Sequence, residues 1–150
     1  MAVIRGLVLL FLVFSLEYAA AKKCTVGWKR FGAQCFSFFP QTVNWATAEK
    51  LCQIFGGNLA SVRTKVRNDF LLSLVPRNTR AWIGGHDGEE RQWLWSDGSP
   101  FNYANWCFRE PNNLRRSEHC LEINWTGRRC FEQHDAFCYA RIGYICARTF

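Results

Sequence analysis

After its first fourteen residues the chain has no apolar run long enough to span a membrane, and it has no low-complexity tract, linker or internal repeat. A multi-span membrane protein and a repeat array are thereby set aside. No Cys-x2-Cys pair and no His-x3-His pair occurs, so the cysteines lack the spacing of a zinc site. The three histidines, His86, His119 and His134, sit in no recognisable nucleophile motif, which argues against an enzyme.

What the chain does have begins at its amino terminus. Ala2 to Phe14 is apolar except for Arg5, and Ser15 to Ala21 follows with small residues at positions 19 and 21. That pattern reads as a signal peptide over 1–21, because the apolar stretch falls short of the roughly 20 residues of a membrane span. The mature part, 22–150, has the size of one domain. All eight cysteines lie in it, and an even count behind a signal peptide predicts four disulfides in a secreted, extracellular protein. Counting leaves about 105 pairings open. The formal charge is +7, and loss of one Arg and one Glu with the leader leaves it unchanged. Such a surplus suits anionic glycans or membrane surfaces, or simply solubility.

Two helical patterns sit early. Trp45, Ala48, Leu51, Cys52 and Phe55 recur at three- and four-residue steps before Gly56-Gly57. Val66, Phe70, Leu71 and Leu74 repeat the pattern, with Thr64 as cap and Pro76 as stop. The second half changes to short runs at 81–84, 93–95, 120–123 and 143–146, separated by Gly, Asn, Asp and Pro, which read as strands. Helices first and strands later predict an α+β domain. Asp97 to Glu118 is a long polar stretch that Trp106, Cys107 and Pro111 pin down, and it reads as an ordered functional loop.

Across nearly the whole mature chain the motifs resemble the C-type lectin family. They are Gly27-Trp28, Trp45-Ala46-x-Ala48, Asn58-Leu59-Ala60-Ser61, Trp82-Ile83-Gly84-Gly85, Trp93-x-Trp95-x-Asp97-Gly98, Tyr103-x-x-Trp106, Cys120-Leu121-Glu122 and Tyr144-Ile145-Cys146. The chain is similar to short forms from fish plasma, mucus or venom and to type II fish antifreeze proteins. The resemblance implies a C-type lectin-like domain of two helices packed on small antiparallel sheets, with a long ligand-binding loop and four disulfides. It implies the pairs Cys24–Cys35, Cys52–Cys146 and Cys120–Cys138, and with them a fourth bridge, Cys107–Cys130. Trp82, Trp93 and Trp95 are then core residues that support the loop.

The resemblance also implies a calcium site in which Glu110, Asn112, Glu118 and Asp135 supply oxygen ligands around a cis Glu110–Pro111 bond. Calcium takes six to eight such oxygens. Two neighbouring sugar hydroxyls complete the shell, each donating to a carboxylate and accepting from an amide. Glu-Pro-Asn in this order is the family's arrangement for mannose, fucose or N-acetylglucosamine, and glycans on microbial or host surfaces become the expected partners. No nucleic acid, catalysis or transmembrane anchor is expected, and the oligomeric state is left open.

Two departures qualify the site. His134 stands where the family has an Asn that serves as both ligand and donor, although Asp135 keeps its carboxylate. Imidazole suits zinc, copper or nickel better than calcium. Weak calcium binding, a transition-metal preference and a vestigial site all stay open. Arg109 replaces the family's usual Gly, and Arg115, Arg116, Arg128 and Arg129 lie near in sequence. Their charge opposes a cation but suits sulfate, phosphate or carboxylate groups on anionic glycans. Asn124-Trp125-Thr126 is a glycosylation acceptor that directly follows an expected strand. Two other functions fit the scaffold: a type II antifreeze protein, for which no regular Thr array argues, and a calcium-independent, protein-binding venom or mucus component.

Overall fold

The computed structural model describes residues 23–88, 92–111, 119–133 and 137–150. Eight strands and two helices follow in the order β1 (Lys29–Phe31), β2 (Gln34–Val43), α1 (Trp45–Ile54), β3 (Asn58–Leu59), α2 (Lys65–Leu74), β4 (Ala81–His86), β5 (Leu94–Trp95), β6 (Cys120–Ile123), β7 (Phe131–Gln133) and β8 (Ile142–Thr149). This is the expected α+β arrangement. α2 begins after Thr64, the expected cap, and α1 begins after Asn44, a cap that the structure adds. The Asn44 amide oxygen accepts from the Thr47 N–H at 2.9 Å, and the Thr64 hydroxyl oxygen accepts from the Arg67 N–H at 3.1 Å. Each bond satisfies one of the orphan donors of a first helical turn. Gly56, at φ 87°, turns the chain out of α1.

The strands expected as small antiparallel sheets join into one continuous sheet, ordered β1-β2-β8-β4-β6-β7, with β3 on β8 and β5 on β4. Every pairing is antiparallel except β4 with β8, which is parallel. The reason is burial. Ile142 to Ala147 of β8 are all buried, so β8 reads as a continuous apolar run and takes neighbours on both edges. β4 is buried from Ala81 to Gly85, and two glycines make its packing close. A Cβ at Gly84 would lie 2.8 Å from the Leu59 carbonyl oxygen, and one at Gly85 would lie 2.2 Å from Leu121 Cδ1. Any side chain there would push apart the strands that carry the loop.

Two apolar clusters flank this sheet. Leu71 and Leu72 of α2 join Phe36, Ala60, Ile83, Trp95, Leu121, Phe131 and Ile145. Ala48 and Cys52 of α1 join Val43, Leu59, Trp82, Cys120, Tyr144 and Cys146. Trp82 is fully buried and its Nε1 donates to the Val43 carbonyl at 3.0 Å, so its polar end is satisfied. The four disulfides are Cys24–Cys35, Cys52–Cys146, Cys107–Cys130 and Cys120–Cys138, the pairs that the resemblance implies. Among the described residues no helix is long and apolar enough to cross a membrane.

A buried carboxylate links α1 to the sheet. Glu49 accepts from Asn58 Nδ2 at 2.6 Å, the Leu59 N–H at 2.9 Å, Ser96 Oγ at 2.9 Å and Gln53 Nε2 at 3.2 Å. Replacing Glu49 by Ala strands the buried Leu59 N–H and the partly buried donors of Asn58 and Ser96, and each buried unsatisfied group costs roughly 1–3 kcal/mol. Glu49→Ala is therefore expected to lose more than about 3 kcal/mol of unfolding free energy in urea. A loss below about 1 kcal/mol would mean that water replaces the carboxylate without penalty.

Asp97 is a second carboxylate of this kind. Burial pushes its carboxyl up, but hydrogen bonds from Ser61 Oγ, Ser99 Oγ and the Ser99 N–H, together with the Arg63 charge, outweigh burial and hold it below its ordinary value. The folded carboxyl thus binds its proton less tightly than the unfolded one. Its contribution is complete above the unfolded value of about 3.9 and drains away as pH falls through the folded value. Urea midpoints taken down a pH series should fall less steeply for Asp97→Asn than for the parent below about pH 4, and parallel curves would refute this.

Candidate ligand-binding loop

The described part of the long loop, from Asp97 to Pro111, is held on an aromatic base. Phe101 stacks on Trp95 at 4.7 Å between centroids, and Trp93 meets Trp106 edge to face at 5.2 Å. Trp106 and Tyr103 both present to the fully buried Phe131 ring. Trp82 and Trp95 are buried and Trp93 is half-buried against the core, which is the supporting role expected of all three. The backbone adds a second fixture. Phe131 N–H donates to Asn105 O at 2.7 Å, Cys107 N–H donates to Phe131 O at 3.0 Å, and Cys107–Cys130 closes the same junction covalently.

From that junction a tight turn carries Glu110. The Glu110 N–H donates back to Cys107 O at 2.9 Å, and the Glu110–Pro111 bond is cis, as expected. Arg109 inside the turn has φ 68°, in the left-handed region. This accounts for the family's Gly at that position, since only Gly adopts it without a Cβ penalty. The Arg109 guanidinium lies 5.3 Å over the Phe108 ring, and that ring is 86% exposed. The Glu110 side chain is half-buried.

Asn112, Glu118, His134, Asp135, Arg115 and Arg116 lie outside the described residues. β6 and β7 pair in the register Leu121↔Gln133, which sets residue 119 and residue 133 at the same end of one antiparallel pair. At that end His119 Nδ1 lies 2.7 Å from Asp87 Oδ1, and the Asp87 N–H donates to His119 O at 3.2 Å. The sequence reading gave this pair no role, nor did it single out Phe108, and no spacing signals either one.

All eight sulfurs are bridged, so no thiolate is available to a metal. Among the described residues no three His, Cys, Asp or Glu side chains gather as a metal cluster. Of the four expected ligands Glu110 alone falls within them. The set as a whole, three carboxylates and one amide, is the hard oxygen chemistry that calcium accepts.

The arginines are not equivalent. Arg129 Nη2 reaches Asp69 Oδ1 at 3.4 Å, while Arg80 is committed to the buried Glu122 at 2.6 Å and lies 4.2 Å over Trp125. Asn124, the glycosylation candidate, is buried at φ 67°. Its Nδ2, the atom a glycan would take, donates to Thr79 O at 2.9 Å and Pro76 O at 3.4 Å. In the folded chain that nitrogen is already occupied.

With this geometry in place the comparisons are specific. The model of the Lectin C-type domain matches residues 41–148. The galactose-specific lectin nattectin of Thalassophryne nattereri is 37% identical over 135 residues, covering 87% of this chain and 83% of its own. Ladderlectin of Oncorhynchus mykiss is 44% identical over 108 residues, 69% of this chain and 57% of its own. The solved structure of herring type II antifreeze protein superposes with a TM-score of 0.78 at 31% identity, covering 85% of this chain and 99% of that one. The chain belongs to the C-type lectin family. It is a disulfide-bonded, lectin-type binding domain and not an enzyme.

The left-handed position in the Glu110 turn gives a direct test. Arg109→Gly and Arg109→Ala both remove the contact with Phe108, but only Ala keeps a Cβ at positive φ. Arg109→Gly should therefore be the more stable of the two by about 1 kcal/mol in urea denaturation. Equal midpoints would place residue 109 in ordinary backbone.

Proposed function

We propose that this protein is a secreted lectin that uses the Glu110-Pro111-Asn112 turn to bind mannose-type sugars with calcium. The observation that carries this reading is the turn itself. A carboxylate in the family's motif position stands on a loop held by a disulfide, two backbone bonds and a stack of aromatic rings. Glu110, Asn112, Glu118 and Asp135 would hold the ion, and calcium when bound would offer coordination positions to two neighbouring hydroxyls. The carboxylates would accept a hydrogen bond from each hydroxyl and the Asn112 amide would donate one to the oxygen of its neighbour, so that hydroxyl uses both halves of its capacity. The exposed Phe108 ring, two residues before Glu110, adds an apolar plate beside this polar site. Residues 1–21 act as a cleaved signal peptide, and the mature chain begins near Lys22.

Specificity rests on the order Glu-Pro-Asn, and nattectin, named for galactose, makes the galactose comparison informative. The close superposition of herring antifreeze protein keeps ice binding as the second reading. The test is retention of the secreted chain, its start checked by N-terminal sequencing, on mannose-agarose in calcium. Release by EDTA and by free mannose is expected, with galactose a poor competitor. Glu110→Gln combined with Asn112→Asp should shift retention toward galactose. Retention indifferent to EDTA and to mannose would overturn the calcium-lectin reading. Thermal hysteresis without sugar retention would favour ice.

A further inference from the structure

A cavity of about 490 Å³ opens where the end of α2 meets the segment after β6. Its apolar side is Leu72 and Val75, and the rest of its lining is Arg77, Asn78, Asn124, Thr126, Gly127 and Arg129. No acidic residue lines it. Its volume falls within the range of about 300–1,000 Å³ typical of small-molecule sites. The shape is set by backbone in unusual conformations on both rims: Asn78 at φ 59° on one, Asn124 at 67°, Thr126 at 49° and Gly127 at 77° on the other. A Cβ at Gly127 would lie 2.6 Å from Asn78 Oδ1, so the Asn78 side chain would have to shift to admit it.

The charge around this cavity does not balance. Arg77 is exposed and makes no ion pair among the described residues. Arg129 shares Asp69 with Lys65, and Lys65 holds the nearer position at 2.8 Å against 3.4 Å. One carboxylate thus serves two cations, and Arg77 adds a third charge that no described carboxylate pairs. Two guanidinium forks with an amide and a hydroxyl beside them form the donor set that a tetrahedral oxyanion accepts. Arg129 is held from behind, since its carbonyl accepts from Asn105 Nδ2 at 2.7 Å and from Asn68 Nδ2 at 3.4 Å. The buried Asn68 side chain leaves its own Oδ1 without a partner.

We infer that this cavity is a second binding site, taking a sulfate ester or phosphate monoester carried on a sugar, with Arg77 and Arg129 as the paired anchors. It uses neither calcium nor the Glu110 turn, so it stands or falls independently of the mannose reading. The Asn124 side chain forms part of its wall.

The test measures affinity of the secreted chain for a heparin tetrasaccharide and for mannose 6-phosphate, both in EDTA, by isothermal titration. Binding in the first arm assigns sulfate, and binding in the second assigns phosphate. Arg77→Gln/Arg129→Gln is expected to weaken whichever probe binds by tenfold or more. Lys29→Gln/Lys50→Gln removes the same charge from exposed positions elsewhere and should change affinity less than twofold. Both altered arginines are exposed, so the core is untouched, and retention on mannose-agarose in calcium should match the parent. Failure of both probes to bind the parent chain would overturn the assignment. So would equal weakening by the arginine and lysine pairs, which would reduce the effect to diffuse charge.

Discussion

The Glu49 carboxylate is the point on which the rest of the molecule depends. A buried anion costs more than it returns unless its lone pairs are met, and here four donors meet it from α1 itself, from β3 and from the start of the long loop. Leu59 pairs with Cys146 on β8, and the Ser96 N–H donates to Gly84 on β4. The same two oxygens thus fix the helix against the central strand and set where the loop departs. The aromatic base, the Cys107–Cys130 bridge and the Glu110 turn all build outward from that departure point. Their placement is inherited from a single satisfied charge.

Much of this was legible in the sequence because it rests on local chemistry. The helices follow from apolar residues at three- and four-residue spacing and, for α2, from Thr64 as its cap. The strands at 81–86, 120–123 and 142–149 follow from short apolar runs between turn residues. β1 and β2 were not legible. Phe36, Phe38 and Phe39 break the alternation of a half-buried strand, and Pro40 within the run argues against one. β7 is three residues long and owes its pairing to β6 rather than to its own pattern. The site divides similarly. Glu110 and its proline are a motif that can be read directly. The reason for Gly in the family at position 109 needs a backbone angle. The basic cavity joins residues 72–78 to residues 124–129, segments that only the fold brings together.

The net charge of +7 proves to be a poor summary of what the cations do. Arg67 is buried against Phe31 and Phe36, donating to Gln34 Oε1 at 2.8 Å, and burial followed by the nearby Arg63 pulls its affinity for a proton down. Arg148 lies 4.1 Å over Trp28 and donates to Phe55 O at 3.0 Å, where it covers apolar surface. Arg80 neutralises Glu122. These arginines are structural parts. The electrostatic surplus that a partner would sense is narrower than the composition implies: Arg77 and Arg129 contribute to it at one cavity and Arg109 at the Glu110 turn.

The position of β8 has a consequence for how the molecule is made. Residues 142–149 lie late in the sequence, yet they form the middle of the sheet, touching β2, β3 and β4 at once. Until they arrive, both halves of the sheet lack their shared neighbour and Cys52 lacks its partner Cys146. Loss of these residues would therefore remove a keystone of the sheet and not an edge.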